Sequence, residues 1–270
     1  MRTKKIDDLR TCLRQLRSCA VAFSSGLDST FLLAVAQAVL GDEVMGVTVV
    51  TEYVPRYEID EVNALVKKLG VRHSFLSVPF LEDIRFNPEN RCYLCKKKIF
   101  SHIIDVAKKE NLQVVLDGSN ADDLGDYRPG HKALEELCIR SPLLELGFSK
   151  ADIRSYSKQM QLPTWDKPPY ACLLSRIPYG EEITIQKLEM IQKAEHVIMQ
   201  KGIRSVRVRY HGNMARIEVA PEERKTFFSE QLLDEIDLAI KQLGFTFVSF
   251  DLAGYKIGNM NYNIDTNAKQ

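Results

Sequence analysis

Short runs of consecutive apolar residues alternate along the first part of the chain with longer stretches in which apolar residues recur at helical spacing. Leu9, Leu13 and Leu16 stand at that spacing among arginines and a glutamine, which predicts an amphipathic surface helix. Cys19 to Phe23 is a compact apolar run that ends in the turn signal Ser24-Ser25-Gly26. Ser29 to Leu40 is apolar nearly all round, as a helix buried against a sheet must be. Val44 to Val50 predicts a second strand, Tyr57 to Leu69 a helix, and His73 to Val78 a third strand. Lys96 to Glu110 predicts another crossover helix, and Val114 to Leu116 a fourth strand running into Asp117-Gly118-Ser119-Asn120. This rhythm means an α/β fold with a parallel sheet, in which ligands sit beyond the carboxyl ends of the strands. The polar strand ends at Ser24 and Asp117 would lie there.

The pattern changes at Trp165-Asp166-Lys167-Pro168-Pro169-Tyr170, where a proline pair interrupts regular structure. Beyond it the periodicities predict a helix (Ile185 to Gln200), a strand (Ser205 to Tyr210) and a turn at His211-Gly212-Asn213. A strand (Ala215 to Val219), one long helix (Glu222 to Leu243) and a strand (Phe245 to Phe250) complete the chain. The expected organisation is therefore an α/β domain over residues 1–170 and a smaller α+β domain over 171–270.

Composition narrows the classes. The 270 residues are 45% hydrophobic and 27% charged, ordinary for a globular chain and unlike a disordered or low-complexity one. Lysine and arginine number 37 against 36 aspartates and glutamates, and neither half is basic, which argues against a nucleic-acid partner. No apolar h-region follows the basic N-terminus and no apolar run is long enough to span a bilayer. The expected location is the cytoplasm, where thiols stay reduced, and a homo-oligomer with no membrane association is expected. Six cysteines are too few for a disulfide scaffold of this size.

Ser24-Ser25-Gly26-Leu27-Asp28-Ser29 sits between the first strand and the buried helix. Glycine lets the backbone approach an anion, the helix N-terminus presents amides, and Asp28 could hold Mg2+ against phosphates. A polar turn capped by Asp28 or Ser29 would look the same. A Walker A loop is excluded because its glycine-lysine-serine ending is absent. The segment resembles the pyrophosphate loop of the PP-loop ATP pyrophosphatases, Ser-Gly-Gly-x-Asp-Ser, with Ser25 in place of the first glycine. The resemblance implies cleavage of ATP between its α and β phosphates.

Cys92-Tyr93-Leu94-Cys95 has chelating spacing, and Arg91, Lys96, Lys97 and Lys98 make its surroundings electropositive, a setting that favours thiolates. No second pair exists, so a four-cysteine zinc site is not expected. Cys172 is a third candidate, and three thiolates can hold a [4Fe-4S] cluster with one iron open. Cys12, Cys19 and Cys138 fall in apolar patterns and are expected to be buried.

The stretch Trp165 to Gly180, with Asp117-Gly118-Ser119-Asn120-Ala121-Asp122-Asp123 and Asp126-Tyr127-Arg128-Pro129-Gly130, resembles the LarE family over nearly the whole chain. These are ATP-dependent sulfur transferases that mature the nickel-pincer nucleotide cofactor of lactate racemase. The resemblance implies ATP binding by Ser24, Ser25, Gly26, Asp28 and Ser29, joined by Gly118, Asp122, Asp123 and Arg128. It implies that Cys172 is the sulfur-bearing, catalytic cysteine, with Asp28 also in the catalytic set. It places the chain with members that carry Cys92 and Cys95 besides Cys172 and use a [4Fe-4S] cluster. The implied substrate is pyridinium-3,5-biscarboxylate mononucleotide, with sulfide or a sulfur-donor protein as the sulfur source. An iron–sulfur tRNA thiolase and a non-catalytic ATP-binding module remain as alternatives.

The period of two in Val206-Arg207-Val208-Arg209-Tyr210 puts Arg207 and Arg209 on one face, and in Ala215 to Val219 it puts Arg216 beside Glu218. A hairpin through Gly212-Asn213 would join these polar faces. Such a face is either solvated, with cross-strand ion pairs, or a phosphate site for a mononucleotide that Arg176 could join. Glu218 would then bind a metal or orient an arginine.

Overall fold

A computed structural model describes residues 2–51, 54, 56–125, 130–168 and 172–256. The chain divides into two units, Met1–Leu81 with Asn90–Pro169, and Glu82–Glu89 with Tyr170–Gln270.

In the first unit, helix α1 (Arg2–Leu16) leads into strand β1 (Cys19–Ala22). The chain continues through α2 (Leu27–Leu40), β2 (Val44–Val50), α3 (Arg56–Leu69), β3 (Arg72–Ser77), α4 (Arg91–Lys109) and β4 (Val114–Leu116). Helices α5 (Gly130–Glu136), α6 (Pro142–Glu145) and α7 (Lys150–Gln159) complete the unit. The four strands form one parallel sheet in the order β3-β2-β1-β4, the α/β architecture that the apolar rhythm predicts.

Alternate residues of each strand supply opposite faces of the sheet. Cys19 and Val21 join Leu9, Leu13, Phe31, Phe148 and Ile153 in one core layer, whereas Ala20 joins Phe100, Ile103 and Ala107 of α4 in another. Strand order then positions the site. From β1 the chain moves to β2 on one side, while β4 lies against the other side of β1. The order of strands reverses there, so the loops leaving the carboxyl ends of β1 and β4 flank one crevice.

Helix α4 begins at Arg91, five residues earlier than Lys96, where the periodicity placed its start. The amides of Tyr93 and Leu94 donate to the Asn90 carbonyl at 2.9 and 3.2 Å, so Cys92 and Cys95 belong to its opening turns. Among the described residues no helix is long and apolar enough to cross a membrane.

In the second unit, α8 (Ile185–Gln200) precedes the hairpin of β5 (Val206–His211) and β6 (Met214–Val219). Helices α9 (Arg224–Phe227) and α10 (Glu230–Gln242) and strand β7 (Phe247–Phe250) follow. The sheet order is β5-β6-β7, antiparallel then parallel. The hairpin closes through Gly212, whose φ of 62° is open to glycine at no steric cost. Val208, Ala215, Ile217 and Val219 pack with Ala194, Ile198, Ile236 and Ile240 in an apolar layer.

The single helix expected over Glu222 to Leu243 is broken at Phe228 and Ser229. The rings of Phe227 and Phe228 both reach Phe250, at centroid distances of 4.6 and 5.3 Å. One continuous helix would point these adjacent side chains about 100° apart. The segment 82–89 is fastened into this unit by Asn87, fully buried at a φ of 45°. Its side-chain Nδ2 donates to the carbonyls of Ile177 and Pro178 at 2.7 and 2.9 Å.

Candidate functional site

The loop after β1 is held closed by its own hydroxyls. Ser29 Oγ accepts from the Ser24 amide at 3.3 Å and shares a hydrogen bond with Ser24 Oγ at 3.1 Å. Ser25 is fully buried with a φ of 54°, in the left-handed region where glycine is unstrained. The backbone here therefore has the shape that a glycine would favour. Gly26 then caps α2 without any side-chain hydrogen bond, so the first-turn amides of α2 face the crevice without a capping side chain.

Gly118, from the loop after β4, packs directly on this helix start. A Cβ at Gly118 would stand 3.1 Å from the Ser29 amide nitrogen and 3.3 Å from the Asp28 carbonyl carbon. Beyond it, Asp123 Oδ2 accepts from the Asn120 amide and side chain at 3.0 and 3.1 Å, and Asp122 Oδ2 accepts from the Lys150 amide at 2.8 Å. These two carboxylates shape the loop and the α7 start. Asp117, buried beneath, accepts from Ser119 Oγ at 2.5 Å and from Ser141 Oγ. Arg128 lies outside the described residues.

Two lysines complete the crevice, and the sequence reading did not single out either. Lys150 pairs with Asp28 through Oδ2, while Asp28 Oδ1 is buried without a partner. Burial raises the Asp28 pKa, against the lowering effect of Lys150, and Asp123 raises it further. Lys167 donates to the Ser25 carbonyl at 3.0 Å, lies 3.4 Å from Ser25 Oγ and pairs with Glu61 of α3. Lys167 was visible in the Trp165–Tyr170 stretch. Lys150 had only the weaker signal of Ser149-x-x-Asp152, a capping box that sets it at the first position of α7.

In the second unit, Cys172 is exposed and starts a short 3-10 turn, Leu173–Arg176. Its carbonyl oxygen accepts from the Ser175 amide at 3.0 Å, Ser175 Oγ at 2.8 Å and Arg176 Nη1 at 3.2 Å. Arg176 is 2% exposed and forks onto Glu195 of α8, Nε to Oε1 at 2.7 Å and Nη2 to Oε2 at 3.0 Å. Glu195 Oε1 also accepts from the Val208 amide of β5 at 2.9 Å. Arg209 Nη1 donates to the Ser175 carbonyl at 2.6 Å. The cysteine's backbone is thus tied to the sheet while its thiol stays accessible.

The polar face of the hairpin is buried at Arg207, Arg209 and Glu218, which are 3%, 4% and 0% exposed, and partly exposed at Arg216, and it carries the cross-strand ion pair between Arg209 and Glu218. Glu218 accepts from Arg209 Nη2 at 2.8 Å and from Arg216 Nη2 at 3.1 Å. Arg207 lies over the Tyr255 ring, 5.0 Å from its centroid, and burial with the nearby Arg176 lowers its pKa. Four arginines against Glu195, Glu218 and Asp251, the last 3.6 Å from Arg216, leave this cluster cationic, a composition suited to a phosphate.

No disulfide joins any of the six cysteines. Cys19 is buried as expected, and burial pushes its thiol up to about 12. Cys138, expected to be buried, is exposed: α5 stops at Glu136, and Cys138 follows at a left-handed φ of 55° outside the apolar face. Cys12 is half-buried beside Arg140. Cys92 and Cys95 belong to the first unit and Cys172 to the second. Among the described residues no group of three His, Cys, Asp or Glu side chains is gathered to hold a metal ion.

Residues 18–88, from β1 through β3, match the family model described as queuosine biosynthesis protein QueC. The chain is 38% identical to an uncharacterized protein of Synechocystis sp., over 97% of its own length and 98% of the relative's. It is 36% identical to the pyridinium-3,5-bisthiocarboxylic acid mononucleotide synthase of Lactiplantibacillus plantarum, over 96% and 94% of the two chains. An uncharacterized protein of Methanocaldococcus jannaschii is 30% identical over 94% and 98%.

Proposed function

The chain belongs to the LarE family, within the PP-loop superfamily, and we propose from that premise that it is an ATP-dependent sulfur transferase acting on pyridinium-3,5-biscarboxylate mononucleotide. The observation that supports the ATP half best is the close packing of Gly118 on the start of α2, whose first-turn amides face the crevice between β1 and β4 without a capping side chain.

In the first step a substrate carboxylate oxygen attacks the α-phosphorus of ATP, and the bond to the β-phosphate oxygen breaks. Pyrophosphate departs with that electron pair into the Ser24–Ser29 loop, and the substrate becomes an acyl-adenylate. Asp28 Oδ1 is suited to Mg2+, which is commonly held by one or two carboxylates together with substrate phosphates. The ion would neutralise charge on the pyrophosphate as it leaves. Lys150 competes for the same carboxylate and keeps it paired when the ion is away.

In the second step a sulfur nucleophile, from sulfide or a donor protein, attacks the activated carbonyl carbon. AMP leaves with the original carboxylate oxygen, and a thiocarboxylate remains. Cys172 presents its thiol from a backbone fixed by Arg176 and Ser175. The buried arginines of the hairpin would bind the substrate phosphate, with Glu218 orienting Arg209 and Arg216. Cys92, Cys95 and Cys172 are all thiol donors of the type that binds iron–sulfur clusters, and we assign them to a [4Fe-4S] cluster. When bound, that cluster supplies an open iron able to carry the sulfur. The reaction belongs in the cytoplasm, where ATP and reduced thiols coexist.

The test is pyrophosphate release from Mg-ATP, assayed anaerobically with and without the mononucleotide. Release that requires the mononucleotide is the expected result; no release under any condition refutes the reading.

A further inference from the structure

We infer that Lys167 is the fixed cation of the pyrophosphate site, an inference that rests on the ATP-dependent reading above. Its backbone is clamped at both ends. The Lys167 amide donates to the Thr164 carbonyl at 3.1 Å, and its carbonyl accepts from Arg154 Nη2 of α7 at 3.0 Å. Arg154 Nη1 holds the Trp165 carbonyl at 2.8 Å, and Pro168 restricts the backbone on the other side. The side chain therefore leaves a rigid platform and is 11% exposed along its length.

That side chain ends on the loop. The ammonium donates to the Ser25 carbonyl at 3.0 Å, within the turn that precedes the α2 amides, and Glu61 of α3 holds it from the other side. A further contact, to Ser25 Oγ at 3.4 Å, is long for a hydrogen bond. A phosphate oxygen placed at the loop replaces that weak contact with a charge-assisted one. Glu61 aims the ammonium and is a positioning residue. An ion pair that served only as a strut would fail equally whichever partner were removed, whereas a phosphate ligand fails only when the lysine goes.

The experiment titrates pyrophosphate and, separately, AMP into the wild type, Lys167→Met and Glu61→Gln by calorimetry. AMP lacks the phosphates that Lys167 would meet. In Lys167→Met, pyrophosphate binding should weaken by about tenfold or more while AMP binding changes by less than about twofold. In Glu61→Gln the lysine is less neutralised, and pyrophosphate should bind at least as tightly as to wild type. Unchanged pyrophosphate binding in Lys167→Met overturns the assignment, and so does an equal loss in Glu61→Gln, which marks a strut. A wild type that binds neither ligand refutes the ATP-dependent reading itself and the assignment with it.

Discussion

Arg176 donates through Nη1 to the carbonyl of Cys172 while its opposite edge forks onto Glu195, so the exposed cysteine is tied to a buried ion pair. A reactive thiol needs access, but its backbone need not be mobile. The bidentate pair satisfies both buried charges and fixes the turn that carries the sulfur.

Glu195→Ala removes one partner and leaves Arg176 buried without its carboxylate. The expected cost is about 3–5 kcal/mol of stability, read by chemical denaturation. Replacing both residues with apolar ones of similar volume should cost much less but lose the anchor on Cys172. Sulfur transfer in that double variant should fall while ATP cleavage persists.

The left-handed Ser25 gives a second expectation. Ser25→Gly relieves a strain of about 1–2 kcal/mol and loses about 0.5–1 kcal/mol to the freer unfolded chain, so stability should hold or rise slightly. Ser25→Val keeps the strain and adds a branch at Cβ, and should destabilise by about 2 kcal/mol or more. Paired denaturation curves separate the two.

Gly118→Ala places a methyl group 3.1 Å from the Ser29 nitrogen, and the neighbouring atoms are backbone that cannot rotate away. The α2 start must shift by tenths of an ångström. A cost of about 1–3 kcal/mol is expected, together with weaker ATP binding measured by titration.

His73 sets a pH dependence. Burial lowers its pKa to about 4 from 6.5, where Thr48 Oγ1 shares a 2.8 Å hydrogen bond with Nε2. The unfolded chain then binds more protons than the folded one between those values, so His73 contributes a loss of stability as pH falls through that window. Stability in His73→Gln should fall less between about pH 6.5 and pH 4 than in wild type. Parallel slopes for the two proteins would show that His73 is not the source.

The parallel sheet was legible because β1, β2 and β4 are short apolar runs bounded by polar turns, and their length separates them from the longer apolar run of α2. The loop at Ser24–Ser29 was legible for the same reason. Other features depend on contacts between residues far apart in sequence. Asn87 fastens residues 82–89 to Ile177 and Pro178, which no local pattern announces. The break at Phe228 follows from two adjacent rings converging on Phe250. Burial of Arg207 and Arg209 could not be read from alternation, which fixes a face but not what covers it. Lys167 was in plain view, but its aim at Ser25 is set by Arg154.

For the cysteines, anaerobic preparation should yield about four irons per chain, and Cys95→Ala should lose most of them. Full iron in that variant would remove Cys95 from the ligand set.

The activation step is tested most directly by following one oxygen atom. The mononucleotide is made with heavy oxygen in its carboxylates, turned over anaerobically with Mg-ATP and sulfide, and the products are weighed by mass spectrometry. Adenylylation followed by sulfur attack predicts one heavy oxygen in AMP, none in pyrophosphate, and sulfur in its place in the product. Unlabelled AMP beside a thiocarboxylate product would contradict the acyl-adenylate and with it the central claim.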